Sequence, residues 1–155
     1  MHVVERCKVH REAAQQRREL QPYDEFWILI DTDHRFEGRH LTGSHDAIRQ
    51  AQQAGIRVAV SNPCFELWLL LHHEPVASGA TFEGCGGVEE RLRSLLGSFN
   101  KASIAPAHFP LAKVHDAIRN ARALEDASES AEHRWPRSVG TQIHRLLESI
   151  LNPPG

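Results

Sequence analysis

Two carboxylates, Asp31 and Asp33, stand one residue apart directly after the apolar run Phe26 to Ile30. On an extended chain, residues two apart point the same way, so both carboxylates can converge on one cation. Their place after a strand-like run is where open α/β sheets bind ligands. Carboxylate oxygens suit Mg²⁺ or Mn²⁺, hard ions that often keep waters and hold substrate phosphates. The bland alternative is an acidic strand-to-loop turn with Asp33 as a local cap. Spacing by itself does not choose between them.

A third acid, Glu66, lies in "SNPCFELWLLLHHE", where it is the one charged residue between Pro63 and Leu71. With Asn62 read as an N-cap and Pro63 as the first helical residue, Glu66 falls at the fourth position. A reciprocal capping box needs the third. A buried lone carboxylate is costly unless paired or metal-bound. A partly exposed one is simply favoured by the helix dipole. If the segments before Asp31 and Asn62 are neighbouring strands, Glu66 emerges on the same edge as Asp31 and Asp33.

Other reactive types surround these acids. His34 and Arg35 follow the acidic pair, and either can hold a phosphate oxygen. The chain carries 11 histidines. His72 and His73 close an apolar helix, where imidazole is favourable without any further role; His108, His115 and His133 read as exposed. Cys7-x-x-His10 is half of a zinc pattern with no matching second half. Trp68 reads as core and Trp135, in a polar stretch, as more open to stacking on a base. Neither a phosphate-cradling glycine loop ending in Gly-Lys-Ser/Thr nor a nucleophile elbow occurs.

The elements that must position these groups are legible in outline. Residues 1–20 read as a helix, ended by Gln21-Pro22. "EFWILIDTD" reads as a strand covered on both faces. Ser44 caps a helix "HDAIRQAQQA", closed by Gly55, and "IRVAV" is a second strand. This is one βαβ unit with parallel strands. Residues 75–88 hold four glycines and a proline and read as a loop. "EERLRSLLGSF" is a helix. "LAKVHDAIRNARALEDAS" is a long helix with Leu111, Val114, Ala117, Ile118, Ala121 and Leu124 near helical spacing. "TQIHRLLESIL" closes as a helix with Thr141 near its cap.

With 155 residues, 41% hydrophobic and 25% charged, the composition is that of one soluble globular domain over residues 1–155. A formal net charge of -2 neither announces nor excludes nucleic acid. Three widely spaced cysteines without a C-x-x-C, and no leader or spanning segment, point to the cytoplasm and away from membranes.

"WILIDTD", "AIRQAQQAGIRVAVSNPCFELWLLLHHE", "AIRNARAL" and "RWPRSVGTQIHRLLESIL" resemble the RloB-like proteins of bacterial defence and restriction-modification loci. The resemblance runs from about Asp24 to Leu151, and its most specific part is Ser-Asn-Pro-Cys-Phe-Glu-Leu-Trp. That family is similar to Toprim domains. The resemblance therefore implies an α/β fold: a Toprim-like open sheet of mainly parallel strands flanked by helices. It implies a Mg²⁺ (or Mn²⁺) site in which Asp31 and Asp33 match the Toprim D-x-D. Glu66 joins them by its position. It implies a metal-dependent nuclease acting on DNA or RNA in antiphage defence of the abortive-infection type, with a partner ATPase or other defence-system protein. Toprim domains begin with a strand ending in a catalytic glutamate, and RloB-like chains show a Glu-Gly segment there. Here Met1 opens in what reads as the following helix. Glu5 has no apolar strand before it and is not assigned that role. The expected domain thus lacks the family's first βα element, which keeps open a second reading: a non-catalytic module that binds a partner protein or nucleic acid.

Overall fold

The computed structural model describes residues 3–32, 40–127 and 135–152. In chain order these form α1 (Val3–Gln16), β1 (Trp27–Asp31), α2 (His40–Gln53), β2 (Arg57–Asn62), α3 (Glu66–Leu70), α4 (Gly84–Leu96), α5 (Val114–Ala127), β3 (Gly140–Thr141) and α6 (Ile143–Leu151). Two short 3₁₀ turns, Pro106–His108 and Leu111–Lys113, lead into α5. The fold class is α/β. Among the described residues no helix is long and apolar enough to cross a membrane.

The sheet order is β1-β2-β3. β1 and β2 are parallel, with Ile28 opposite Val58, Ile30 opposite Val60 and Asp31 opposite Ser61. The βαβ unit expected from the sequence is therefore present. β3 runs antiparallel to β2, pairing Thr141 with Ser61 and Gly140 with Asn62. The sheet is mixed, half parallel and half antiparallel by pairing, rather than mainly parallel.

Two apolar clusters pack the sheet from opposite sides, because side chains alternate along a strand. Ile28, Ile30 and Val60 pack with Val4 of α1 and with Ala47, Ile48 and Ala51 of α2. Ala59, on the other face, joins Leu67 to Leu71, Cys85, Val88, Leu92, Ala117, Ala121 and Ile143. The second cluster is the larger, and it covers β2 far better than β1. Leu29, opposite Ala59, is 45% exposed, whereas Ala59 is fully buried. The expectation of a strand covered on both faces fails for β1: as the end strand of the described sheet it lies beyond the helices that shield β2.

Several boundaries also differ from the sequence reading. α2 begins at His40, so Ser44 lies inside the helix and not at its cap. Gly55 does close it, at φ +69°, and Ile56 N–H returns to the Ala51 carbonyl at 2.9 Å. α4 begins at Gly84, inside the stretch read as loop, because Cys85, Val88 and Leu92 bury one helical face. Leu111 sits before α5, 85% exposed. Trp68 is core as expected, and Trp135 packs half-buried against the α1/α2 cluster.

Candidate functional site

The C-terminal edge of the sheet gathers three stretches of chain. Asp31 is the last residue of β1 and is half-buried. The next residue, Thr32, clasps the turn that follows β2. Its N–H donates to the Ser61 carbonyl at 3.0 Å and the Pro63 carbonyl at 3.1 Å, and its hydroxyl reaches the Pro63 carbonyl at 3.4 Å. β2 is held from its other side. Ser61 and Thr141 share a buried hydroxyl–hydroxyl bond of 2.7 Å. Gln142 N–H donates to the Val60 carbonyl at 3.0 Å, and its side-chain oxygen accepts from Val60 N–H at 3.3 Å. The Asn62 amide donates to the Pro136 carbonyl at 3.4 Å. Asp31 and the β2 turn are thus tied to each other and to the β3 segment.

That pairing corrects the reading of the turn. Asn62 is the last residue of β2, extended, and its side chain is used on Pro136 rather than as an N-cap. The Asn62–Pro63 peptide is cis. The residue before α3 is Phe65, without a side-chain cap, so Glu66 is the first helical residue and not the fourth. A carboxylate at that position is well placed for the helix dipole, but α3 is only five residues long.

Glu66 has unexpected neighbours. One carboxylate oxygen of Glu66 and the sulfurs of Cys64 and Cys85 all lie within 4.8 Å of one another. Cys64 is fully buried and Cys85 is 8% exposed. Burial pushes the Cys64 thiol well up from its ordinary range, and its hydrogen bonds with Cys85 and Glu66 add to that. The sequence reading singled out neither of these cysteines. Cys64 is two residues from Glu66, but Cys85 is brought in only because α4 starts early and packs against α3. The glycines around it pointed to a loop.

Among the described residues, the ligand-type group that contains Glu66 is this thiol pair, and Asp31 is not a member of it. Asp33, His34 and Arg35 lie outside the described residues. The donor chemistry at Asp31 fits a hard divalent cation: a half-buried oxygen ligand at the C-terminal end of a parallel strand.

The histidines divide clearly. His72 is buried, with Nδ1 2.9 Å from the Trp68 carbonyl, and it stacks edge-on against Trp68 and Phe109. Burial lowers its pKa, against the upward pull of its backbone contacts. This is packing at a helix end. His73 Nε2 is buried with no hydrogen-bond partner, and burial followed by the charges of His72, Lys113 and His108 lowers its pKa. His115 is exposed as expected and His108 is half-buried. Cys7, the first residue of the half zinc pattern, packs against the α1/α2 core. His144, which no local pattern marked, is buried between the Thr141 carbonyl at 3.0 Å and a Glu125 carboxylate oxygen at 3.1 Å. It links α5 to β3 and serves the fold.

A family model described as RloB-like protein matches residues 1–150. No curated protein and no solved structure matches the chain. The match takes in every described element from α1 to β3 and all of α6 but its last residue. The chain belongs to the RloB-like protein family.

Proposed function

We propose that this protein is a metal-dependent nuclease that cleaves phosphodiester bonds of nucleic acid, in bacterial antiphage defence of the abortive-infection type. The observation that carries the reading is the position of Asp31. It ends a parallel strand at the C-terminal edge of an α/β sheet, clasped through Thr32 to the turn that leads to Glu66. Ligands bind such edges.

Asp31 and Asp33 would hold Mg²⁺ or Mn²⁺, with Glu66 as a third acid. When bound, the ion would supply charge stabilisation to the scissile phosphate and a nucleophilic water. The chain's own contribution is positioning. The β1–β2 ladder and the Thr32 clasp fix where the Asp31 carboxylate stands, and His34 and Arg35 would bind phosphate oxygens as the substrate seats. Family membership supports the reading, through the Toprim-like site expected of RloB-like chains. A partner ATPase or another defence-system protein completes the proposed setting.

The test is cleavage of RNA and DNA panels with Mn²⁺ or Mg²⁺. Asp31→Asn with Asp33→Asn abolishes metal-stimulated cleavage if the reading holds. Cleavage that survives the double change overturns it.

One observation favours a second reading, a non-catalytic module that binds a partner protein or nucleic acid. β1 is the end strand of the described sheet and carries the exposed Leu29 on its uncovered face. Strand edges of this kind accept other chains. Retained partner or nucleic-acid binding, with no cleavage by the wild-type chain under any metal, would support it.

A further inference from the structure

We propose that Cys64, Glu66 and Cys85 form a Zn²⁺ site, with water at the fourth position. The three donor atoms already lie within 4.8 Å of one another. Zn–S bonds of about 2.3 Å and Zn–O bonds of about 2.0–2.2 Å set tetrahedral ligands roughly 3.5–4 Å apart, so the group closes by at most about 1.3 Å. Two thiols and one carboxylate are a borderline-soft set, which suits Zn²⁺ and not Mg²⁺.

The scaffold supports the same assignment. The donors come from two elements that pack on each other: Cys64 and Glu66 from the turn and first residue of α3, and Cys85 from the first turn of α4. Both sulfurs sit in the larger apolar cluster, where an unpaired thiolate would be costly but a metal-bound one is not. Gly86, the neighbour of Cys85, is exposed and has open space where a Cβ would stand, so the start of α4 lies at the surface.

Charge balance fits as well. Two thiolates and a carboxylate carry three negative charges, and Zn²⁺ leaves one. The Lys101 ammonium feels the charge of both Glu66 and Cys85 while pairing with Glu89 at 2.9 Å. Binding displaces the proton from each thiol to solvent, and no electron is transferred.

The site does not depend on the nuclease reading. The two share only Glu66. Metal content tests the zinc site, and cleavage tests the other. The full chain, reduced with a phosphine, is loaded with zinc sulfate, desalted, and assayed for zinc and protein. About one zinc per chain is expected in the wild type, in Cys7→Ser and in Asp31→Asn/Asp33→Asn. Cys64→Ser and Cys85→Ser should each lose it, and Glu66→Gln should bind at least about tenfold more weakly. Because Cys64 is fully buried, zinc loss in Cys64→Ser counts only when that chain is folded. Cobalt substitution of the wild type is the second measurement: thiolate-to-Co²⁺ charge-transfer absorption should appear, and should be absent from a folded Cys85→Ser chain. Reduced wild-type protein that retains no zinc after desalting, or a folded Cys85→Ser chain that keeps the full equivalent, overturns the proposal.

Discussion

β1 and β2 are parallel neighbours, and each runs at its C-terminal end toward an acid, but the two ends are built differently. β1 delivers Asp31 straight from the ladder, at the edge of the described sheet, with one face of the strand uncovered at Leu29. β2 is central. It is paired on both sides, braced by Ser61–Thr141 and by Gln142, and followed by a buried turn before Glu66. The contrast separates two chemistries. Under the proposed function, the lightly covered end would offer the half-buried Asp31 carboxylate to a cation and its phosphate substrate. The deeply packed end places the Glu66 carboxylate beside the sulfurs of Cys64 and Cys85. Burial and donor type change together along this edge of the sheet.

The contrast can be broken by four measurements, beginning with the largest effect. Asp31→Asn with Asp33→Asn should lower Mn²⁺-stimulated cleavage by more than about 100-fold, since even the outer partners of metal ligands cost 10–100-fold. Its thermal midpoint should stay near that of the wild type. A lost fold would assign Asp31 to stability instead.

Packing should show the opposite asymmetry. Leu67 is fully buried in the cluster that covers β2, and Leu67→Ala should destabilise by about 2–5 kcal/mol in urea unfolding. Leu29→Ala on β1 should cost less than about 1 kcal/mol. Equal losses would mean that the face of β1 is covered in solution.

Third is the hydroxyl brace. Ser61→Ala removes a buried bond to Thr141 and should cost about 1–3 kcal/mol by the same assay. Thr141 keeps the Ile143 N–H as a donor at 3.3 Å, which places the value toward the lower end. No change would show that β3 holds β2 through its backbone alone.

The smallest effect is in acid. Glu125 accepts from His144, which in turn meets the Thr141 carbonyl, so this carboxylate braces β3 from α5. The His144 bond, with Arg145 as a further partner, holds the Glu125 pKa below its ordinary 4.5 against the opposing effect of burial. A depressed folded pKa contributes stability that is present above the unfolded value and is lost as pH falls through the folded one. The urea midpoint of the wild type should therefore fall more steeply below pH 4.5 than that of Glu125→Gln. Parallel acid limbs would remove Glu125 from the brace.

Much of the frame was legible because it rests on local pattern. The apolar run before Asp31, the helix closed by Gly55 and the run before Ser61 define the βαβ unit, and the spacing of Ala117, Ile118, Ala121 and Leu124 defines α5. β3 was not legible. It has two residues, and its existence depends on Ser61 and Asn62, some 80 positions earlier. The start of α4 was not legible either, since glycines at 84, 86 and 87 argue locally for a loop. A Cβ on Gly87 would stand 3.4 Å from the Phe82 Cβ, an ordinary contact, so the helix there does not depend on the glycine.

The candidate site divides along the same line. By itself the sequence determined that Asp31 ends a strand and that Glu66 follows its neighbour, because strand periodicity and helix signals act over a few residues. Only the tertiary structure decided that Glu66 begins its helix and that Cys85 meets Cys64 beside it. The physical reason is that thiols recruited from separate elements leave no spacing rule in the chain. Their meeting depends on how α4 packs against α3, and that packing is set by the apolar side chains both helices bury in one shared cluster.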